Sequence, residues 1–224
     1  DTFYRLESLS PVSSNDSFSY GYSGISMFSS IRNRHSSSLM NDLGYRSRGT
    51  ALNIRYQNNT LFMDSLMGVK HNISDQIINK YGFTSESKAG KYQLYNNQYA
   101  MPLGVLTDET LYKTTLPKND NLGSQQALIN QLAQLEEDYF VFTQPTVVET
   151  DNTEIIEKSN NHVTYKEQKE NIAKSITYDV FVPAGNQAYL SLYPGNFSQL
   201  ESSTATVLSQ GTSYKSQINI TGQY

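Results

Sequence analysis

The chain has 224 residues, a formal net charge of −4, and neither cysteine nor tryptophan. With 12% aromatic residues and a small net charge, this composition excludes disordered, collagen-like and coiled-coil classes, and zero cysteine excludes disulfides and thiolate metal sites. No basic run is dense enough for nucleic acid, and no apolar run approaches the roughly 20 residues of a membrane-spanning helix.

The first predicted helix covers residues 31–43 and follows a turn-rich segment over residues 20–24. Its apolar positions recur every four residues and comprise Ile31, His35, Leu39 and Leu43. Ser29 or Ser30 is expected to cap its start and Gly44 to end it, since Ser is favoured at N-caps and Gly just after C-caps.

Five further elements are predicted between residues 45 and 97 from alternating or helical apolar periods. They are a strand over 45–57, a short helix over 61–67 closed by Gly68, a strand over 69–73, a short helix capped by Ser74 or Asp75, and a strand over 91–95 that leads into a turn at Asn96–Asn97. Residues 116–121 then read as a loop around Pro117, because proline favours turns.

The clearest helix is predicted over residues 124–135, with Ser124 as its N-cap. Its apolar face comprises Leu128, Leu132 and Leu135. From Tyr139 onward the apolar period changes to two, which is typical of strands. These strands are expected near 139–148, 175–183 and 187–193, with exposed strands and loops over 149–174. Their turn spacing is typical of an antiparallel sandwich.

The predicted fold class is therefore α+β, with a mixed α/β first half and an antiparallel, sandwich-like second half. We expect two subdomains, one over residues 1–120 and a mainly antiparallel β one over residues 121–224. The second is expected to be incomplete at its C-terminus.

The sequence offers no catalytic motif and no cofactor or metal site. His35, His71 and His162 lie far apart without ligand spacing, so no metal site is predicted. A nucleophile elbow and a phosphate-binding loop are missing too, so we assign no catalytic residue and no cofactor.

Two aspartates stand out from their surroundings. Asp16 lies among Tyr, Ser and Gly, and Asp64 lies in an otherwise apolar helix. Three interpretations of Asp64 stay open: a helix-surface residue, a buried hydrogen-bond acceptor, or an acid/base. Sugar binding is open as well, because exposed tyrosines could line a shallow groove rimmed by Asn or Gln. Against it, Trp is missing, and Tyr on strands is more often packed.

Five stretches, taken in order, resemble YfhO-type multispan membrane proteins of bacteria. They are Phe3–Glu7, Asn15–Asp16 with Gly21–Ser30, Asp64–Lys70, Tyr95–Gly104, and Gln126 with the helix at 128–132 and the strand pair ending at 188–193. The motif positions singled out are Arg5, Asp16, Tyr22, Asp64, Gly68, Lys70, Asn97, Pro102 and Gly104. The family has Tyr where His71 stands and usually Leu where Met101 stands. Helix-cap and loop geometry is one interpretation of these motifs, and a functional surface is the other.

The resemblance implies a large integral membrane protein of Gram-positive type, with this region on the extracellular face of the cell membrane. Such proteins resemble glycosyltransferases that use a polyprenyl-phosphate-linked sugar and glycosylate cell-envelope polymers such as lipoteichoic acid. The implied partners are the parent transmembrane region and, as candidates, an envelope polymer or the lipid-linked sugar. Catalytic residues would lie outside this chain, so we expect it to transfer no sugar by itself.

The function favoured by the resemblance is an extracytoplasmic accessory domain of such a membrane protein. The alternatives are a stand-alone glycan-binding module and a scaffolding domain for a partner membrane protein, with a separate soluble hydrolase further behind. Apolar runs of about 20 residues upstream of Asp1 are expected for the first reading.

Overall fold

The computed structural model describes residues 3–31, 33–48, 53–56, 59–118, 120–143, 145–158, 163–189, 203–209 and 212–218. Helices and several antiparallel sheets confirm the predicted α+β class and the β-rich second half. The helices are α1 (Asp16–Tyr20), α2 (Arg34–Asp42), α3 (Leu61–Leu66) and α4 (Asn121–Ala133), with a 3-10 turn at Glu109–Lys113. The strands are β1 (Arg5–Ser8), β2 (Met27–Phe28), β3 (Arg46–Arg48), β4 (Asn53–Arg55), β5 (Val69–Ser74), β6 (Phe83–Ala89), β7 (Tyr92–Asn97), β8 (Thr146–Asp151), β9 (Thr153–Lys158), β10 (Val163–Glu167), β11 (Ser175–Asp179), β12 (Ser203–Ser209) and β13 (Thr212–Ile218).

A four-stranded mixed sheet in the order β1-β5-β7-β6 carries the first part of the chain. β1 runs parallel to β5, whereas β5–β7 and β7–β6 are antiparallel. The sequence analysis missed β6, because six of its seven residues are exposed and its polar composition gives no period-two pattern. A second sheet has the order β2-β4-β3 and is antiparallel throughout.

The core lies where α2, α3 and the two sheets bring their apolar side chains together. Its buried members are Ile25, Leu43, Tyr45, Ile54, Tyr56, Met63 and Val69. Leu128 of α4 packs against this cluster, which ties the helix predicted near 124–135 to the first part of the chain. Among the described residues, no helix has the length and apolarity needed to cross a membrane.

The first predicted helix is confirmed as α2, but its start and its buried face differ from the expectation. Its N-cap is Asn33, whose side-chain oxygen accepts the Ser36 N–H at 3.1 Å, so neither Ser29 nor Ser30 caps it. Ile31 is 89% exposed and lies before the helix, while Ser37 and Leu43 are buried. Side-chain capping at Asn33 therefore overrode the apolar spacing.

The predicted helix after Ser74 is wrong, because Ser74 ends β5 and an irregular segment follows. The Asp75 carboxylate accepts from Ser10 and from Lys91, so it is engaged by other segments instead of a helix start. The predicted turn at Asn96–Asn97 is also wrong, since both residues belong to β7 and the turn follows them.

The predicted helix near 124–135 is confirmed as α4, but Ser124 does not cap it. Asp120 is the N-cap and accepts the Gly123 N–H at 2.8 Å. Ser124 is buried inside the helix, and its hydroxyl donates to the Pro117 carbonyl at 3.0 Å. The helix ends at Gln134, so Leu135 lies beyond it and is half exposed.

Two compact units divide the chain, one with residues 1–137 and 189–224 and the other with residues 138–188. In the second unit β8 pairs with β11 and β9 with β10, all antiparallel. The strand expected near 139–148 begins only at Thr146, and the one expected over 175–183 ends at Asp179.

Of the strand expected over 187–193, residues 187–189 are not a strand and the rest lie outside the described residues. β12 pairs with β13 in the C-terminal part of the first unit. Stacking of the pairs into a sandwich and the subdomain boundary at residue 120 stay predictions.

Candidate functional site

A buried ion pair lies beneath α3 and is formed by Asp64 and Lys80. Asp64 stands in the first turn of α3, where Thr60 caps the helix by accepting the Met63 N–H at 3.3 Å. The carboxylate is 0% exposed and accepts from the Lys80 ammonium, whose side chain is 6% exposed. Lys80 comes from the connection between β5 and β6, so the pair joins two distant segments.

Tyr56 and Asn72 complete the hydrogen bonding of this pair. The Tyr56 hydroxyl donates to the Asp64 Oδ1 at 3.0 Å. It accepts in turn from the Asn72 amide at 3.2 Å and from the Lys80 ammonium at 3.3 Å. A hydroxyl offers one donor and two acceptor positions, so all of its capacity is used. The ammonium also lies over the rings of Tyr56 and Phe83, with centroids 5.8 and 4.6 Å away.

Burial shifts the titration of every group in this cluster. It raises the pKa of Asp64 to about 6, against the opposing influence of the Lys80 charge and the hydrogen bonds. It lowers the pKa of Lys80, with Asp64 opposing, and it raises that of Tyr56 well above its ordinary value. The enclosed cluster therefore favours reduced charge.

Glu7 is a second buried carboxyl in the same part of the molecule. It points inward from β1, is 1% exposed, and accepts the backbone N–H groups of Ile25 and Ser26. Burial raises its pKa to about 7, and the negative charge of Asp64 adds to the effect. Burial, together with the negative charge of Glu7, raises the pKa of Tyr22 to about 12.

Several motif positions meet at the connection between α3 and β5. The Arg5 N–H donates to the Gly68 carbonyl at 2.7 Å, and its guanidinium donates to the Met67 carbonyl. Gly68 has a φ of +66°, and a Cβ there would lie 3.2 Å from the Met101 carbonyl. The Asn97 amide donates to the Val69 carbonyl at 2.9 Å. Arg5, Gly68 and Asn97 therefore hold together the backbone segments that meet at the start of β5.

Asp16, by contrast, closes a local loop. Its carboxylate accepts the Val12 N–H at 2.8 Å, and the Ser13 N–H and hydroxyl at 2.7 and 2.8 Å. Lys70 is exposed on β5, where the strand alternation turns it away from the buried Val69. Pro102 and Gly104 are exposed, and a Cβ at Gly104 would meet no atom within 4 Å.

The described residues contain no cluster of three or more His, Asp or Glu side chains that could hold a metal ion. His35 is exposed, and His71 lies 3.1 Å from the Glu86 carboxylate and against the Tyr4 ring. His162 lies outside the described residues.

An open groove of about 290 Å³ runs along the end of α4. Its lining residues are Ala127, Asn130, Gln131, Gln134, Leu135 and Glu136. The groove has the amides expected for glycan binding but no tyrosine. The amides of Asn130 and Gln131 already donate to Glu137 and Thr110, so they bond within the chain. Two exposed tyrosines, Tyr81 and Tyr99, stack on each other elsewhere at 6.4 Å.

The sequence analysis singled out Asp64 but missed its partners Lys80, Tyr56 and Asn72, and it missed Glu7 as a buried carboxyl. Their contacts span 8 to 24 residues, a range that helical or strand periods do not encode. Because the carboxyls are closed off from solvent and fully engaged, the arrangement joins α3, β5, the segment after β4 and the β5–β6 connection instead of presenting an acid or base to a substrate.

A family model described as bacterial membrane protein YfhO matches residues 1–224. The match spans all five stretches that carry the resemblance, and it confirms that resemblance. None of the curated proteins and none of the solved structures matches the chain.

Proposed function

Because the chain belongs to the YfhO family of bacterial membrane proteins, we propose that it is an extracytoplasmic accessory domain of an integral membrane protein in the cell envelope. The parent protein would resemble glycosyltransferases that use a polyprenyl-phosphate-linked sugar. Its acceptor would be a polymer such as lipoteichoic acid of a Gram-positive envelope. The domain would hold the acceptor or shape the cleft above the membrane-spanning part.

The observation that carries this proposal is the use of the family motif positions inside the fold. Arg5 bonds to Met67 and Gly68 in the connection between α3 and β5, Asn97 bonds to Val69 directly after it, and Asp64 of α3 is fully buried. Residues engaged in this way build a rigid frame. A rigid frame suits a domain that positions another molecule, because positioning requires elements that do not yield.

Sugar transfer from a lipid-linked donor makes different demands. It needs a general base beside the acceptor hydroxyl and a cationic or metal clamp on the leaving phosphate. The two carboxyls with strongly raised pKa values, Glu7 and Asp64, are 1% and 0% exposed and bonded to neighbours. Neither could reach an acceptor, which supports a non-catalytic role for this chain within the parent protein.

The proposal is tested by sugar transfer from a polyprenyl-phosphate sugar to lipoteichoic acid. We expect turnover by the full-length protein in membranes and none by the purified 224-residue chain. In the full-length protein, Lys70→Ala should leave the fold intact because Lys70 is exposed. Asp64→Asn should reduce turnover only as far as it reduces the amount of folded protein.

Turnover by the purified chain would overturn the accessory role and move the catalytic centre into residues 1–224. Asp16 and Asp64 would then be the first positions to substitute. If Asp64→Asn abolished transfer in a protein that unfolds like wild type, a direct chemical role would replace the structural one.

A further inference from the structure

An exposed apolar loop connects β7 to the 3-10 turn, and we call residues 99–106 the apolar loop. Its sequence, Tyr-Ala-Met-Pro-Leu-Gly-Val-Leu, contains no charged residue. Leu106 is 99% exposed, Leu103 55%, Met101 40% and Val105 38%. Single exposed apolar residues are ordinary, but a contiguous set of this kind marks an interaction site.

The loop is held at both ends. At its start the Met101 N–H donates to the Ser65 carbonyl of α3 at 3.0 Å. Just past its end the Thr107 hydroxyl donates to the Leu132 carbonyl of α4 at 3.3 Å. Because Ser65 is buried and α4 packs on the core through Leu128, these anchors fix where the loop stands.

Between the anchors lies a backbone segment with few internal contacts. Within the part of the chain that the structure describes, no backbone hydrogen bond involves residues 102–106. Burial of this segment against a protein surface would require that surface to supply matching partners for several N–H and C=O groups. Entry into the hydrocarbon interior would leave these groups without partners, since no water is present there.

We propose that the apolar loop inserts its side chains into the headgroup–acyl boundary of a lipid bilayer. The family is one of membrane proteins, so a bilayer is an apolar phase that the parent protein meets. At that boundary apolar side chains leave water while headgroups and interfacial water still bond the backbone. This location suits an irregular apolar segment better than either alternative.

The residues around the loop fit an interfacial position. Tyr99 at its start stacks on Tyr81, and both rings are more than half exposed. Tyrosine is enriched at membrane interfaces because it has an apolar ring and a polar hydroxyl. Arg5 supplies a positive charge nearby: its guanidinium and the Met101 carbonyl both lie within 4 Å of the Cβ position of Gly68.

A further exposed apolar side chain, that of Phe3, lies beside the Arg5 guanidinium. The Arg5 guanidinium lies 5.3 Å from the ring centre of Phe3, which is 48% exposed. Arg5 has the right charge for anionic headgroups, which attract basic residues near the membrane surface.

This inference rests on the proposed function only for the presence of a membrane. Its test uses lipid vesicles and no sugar donor, so its failure would leave the sugar-transfer result unaffected. Failure of the sugar-transfer proposal would likewise leave the vesicle result standing.

The chain contains no tryptophan, so one introduced Trp reports on its own surroundings. We would place it in the loop as Leu106→Trp and in the β6–β7 hairpin as Ala89→Trp. Ala89 pairs with Tyr92, at the end of β7 remote from the loop. The strand rise sets the two ends of β7 roughly 17 Å apart. Both sites are exposed, which makes the hairpin probe a matched control.

With vesicles of phosphatidylglycerol and phosphatidylcholine we expect a blue shift of the Leu106→Trp emission. Lipids brominated on their acyl chains should quench this Trp and leave the Ala89→Trp probe unchanged. Vesicles of phosphatidylcholine alone should bind at least threefold more weakly. An unshifted loop probe, or an equal response of both probes, would overturn the proposal, and equal binding to both lipids would overturn the part assigned to Arg5.

A pair of double variants separates insertion of the apolar loop from nonspecific adsorption of the protein to vesicles. Leu103→Ser with Leu106→Ser should lower the vesicle partition coefficient at least tenfold without changing thermal unfolding, because both side chains are exposed. Val12→Ser with Ile77→Ser removes two side chains that are 75% and 77% exposed elsewhere and should leave partitioning unchanged. An equal loss in both double variants would contradict a role for the loop.

Discussion

Two regions of this chain differ in how far they bury their polar side chains. Around α3, the sheet of β5 and β7 encloses polar side chains, and Asp64 and Asn72 are 0% exposed. In residues 138–188, β8 to β11 leave most side chains in solvent, and Thr153 is the one buried residue described there.

Both regions contain a pair of lysine and carboxylate, which makes the contrast measurable. The Lys80 and Asp64 side chains are 6% and 0% exposed, whereas those of Lys174 and Glu167 are 28% and 10% exposed. An enclosed charge cannot turn to water when its partner is removed, but a partly exposed one can. A lysine–carboxylate pair therefore fixes how side chains pack in the first region and adds little stability in the second.

The largest effect is expected from Asp64→Ala. The substitution leaves the Lys80 ammonium buried without its carboxylate, so the free energy of unfolding should fall by about 3–5 kcal/mol. Urea unfolding followed through the amide exchange of β5 and β7 measures this region by itself. A loss below about 1 kcal/mol would contradict the enclosed pair.

The matched control for that variant removes both charges. Asp64→Leu with Lys80→Met should recover most of the lost stability, because apolar residues of similar volume often replace a buried pair without cost. If the double variant were as unstable as the single one, the hydrogen bonds of Tyr56 would matter more than the charge.

A pH-dependent effect of intermediate size is expected from Glu7. Its pKa is about 7 in the folded chain against an ordinary 4.5, so between these values the folded state binds more protons than the unfolded state. The free energy of unfolding should therefore fall as the pH rises, by up to about 1.4 kcal/mol per pH unit. The window from pH 6 to 7 is the most informative, because it lies above the pKa of about 6 for Asp64.

Glu7→Gln is the control for this slope, since an amide oxygen can still accept from Ile25 and Ser26 but does not titrate. The difference in slope between wild type and this variant cancels the contributions of groups common to both. Equal slopes between pH 6 and 7 would show that Glu7 is not the group responsible.

The smallest effect is expected in the second region, from Lys174→Gln. Its partner Glu167 keeps some access to water, so the loss in opening free energy should be about 0.2–1 kcal/mol. Amide exchange of β10 and β11 measures it. A loss comparable to that of Asp64→Ala would remove the contrast between the two regions.

Local patterns predicted much of the fold. The helix α4, the run that forms β5 and the change to antiparallel strands after residue 138 are all confirmed, although the buried residues of α4 are Ser124 and Gln125 and not its leucines. Predictions failed where a polar side chain bonds to a residue far away in the sequence. Asp75, for example, accepts hydrogen bonds from Ser10 and Lys91 instead of starting a helix. Asn97 likewise bonds the Val69 carbonyl and stays in β7 instead of forming a turn.

The candidate site divides in the same way. Of the three interpretations left open for Asp64, the structure shows the buried hydrogen-bond acceptor. Nothing in the local sequence could have chosen it, because a carboxylate in a short apolar helix is equally compatible with the surface. Lys80 decides the matter, and it lies 16 residues away.

By itself the sequence determined the α+β class, the family and the positions of the strongly periodic elements, because these depend on neighbours within a few residues. Only the tertiary structure decided that β1 pairs in parallel with β5, that Glu7 and Asp64 are enclosed together, and that Met101 is anchored to Ser65. Each of these contacts joins segments far apart in the chain. Burial and hydrogen bonding stabilise these contacts only after the segments have come together in the fold. No local sequence pattern therefore predicts the contacts.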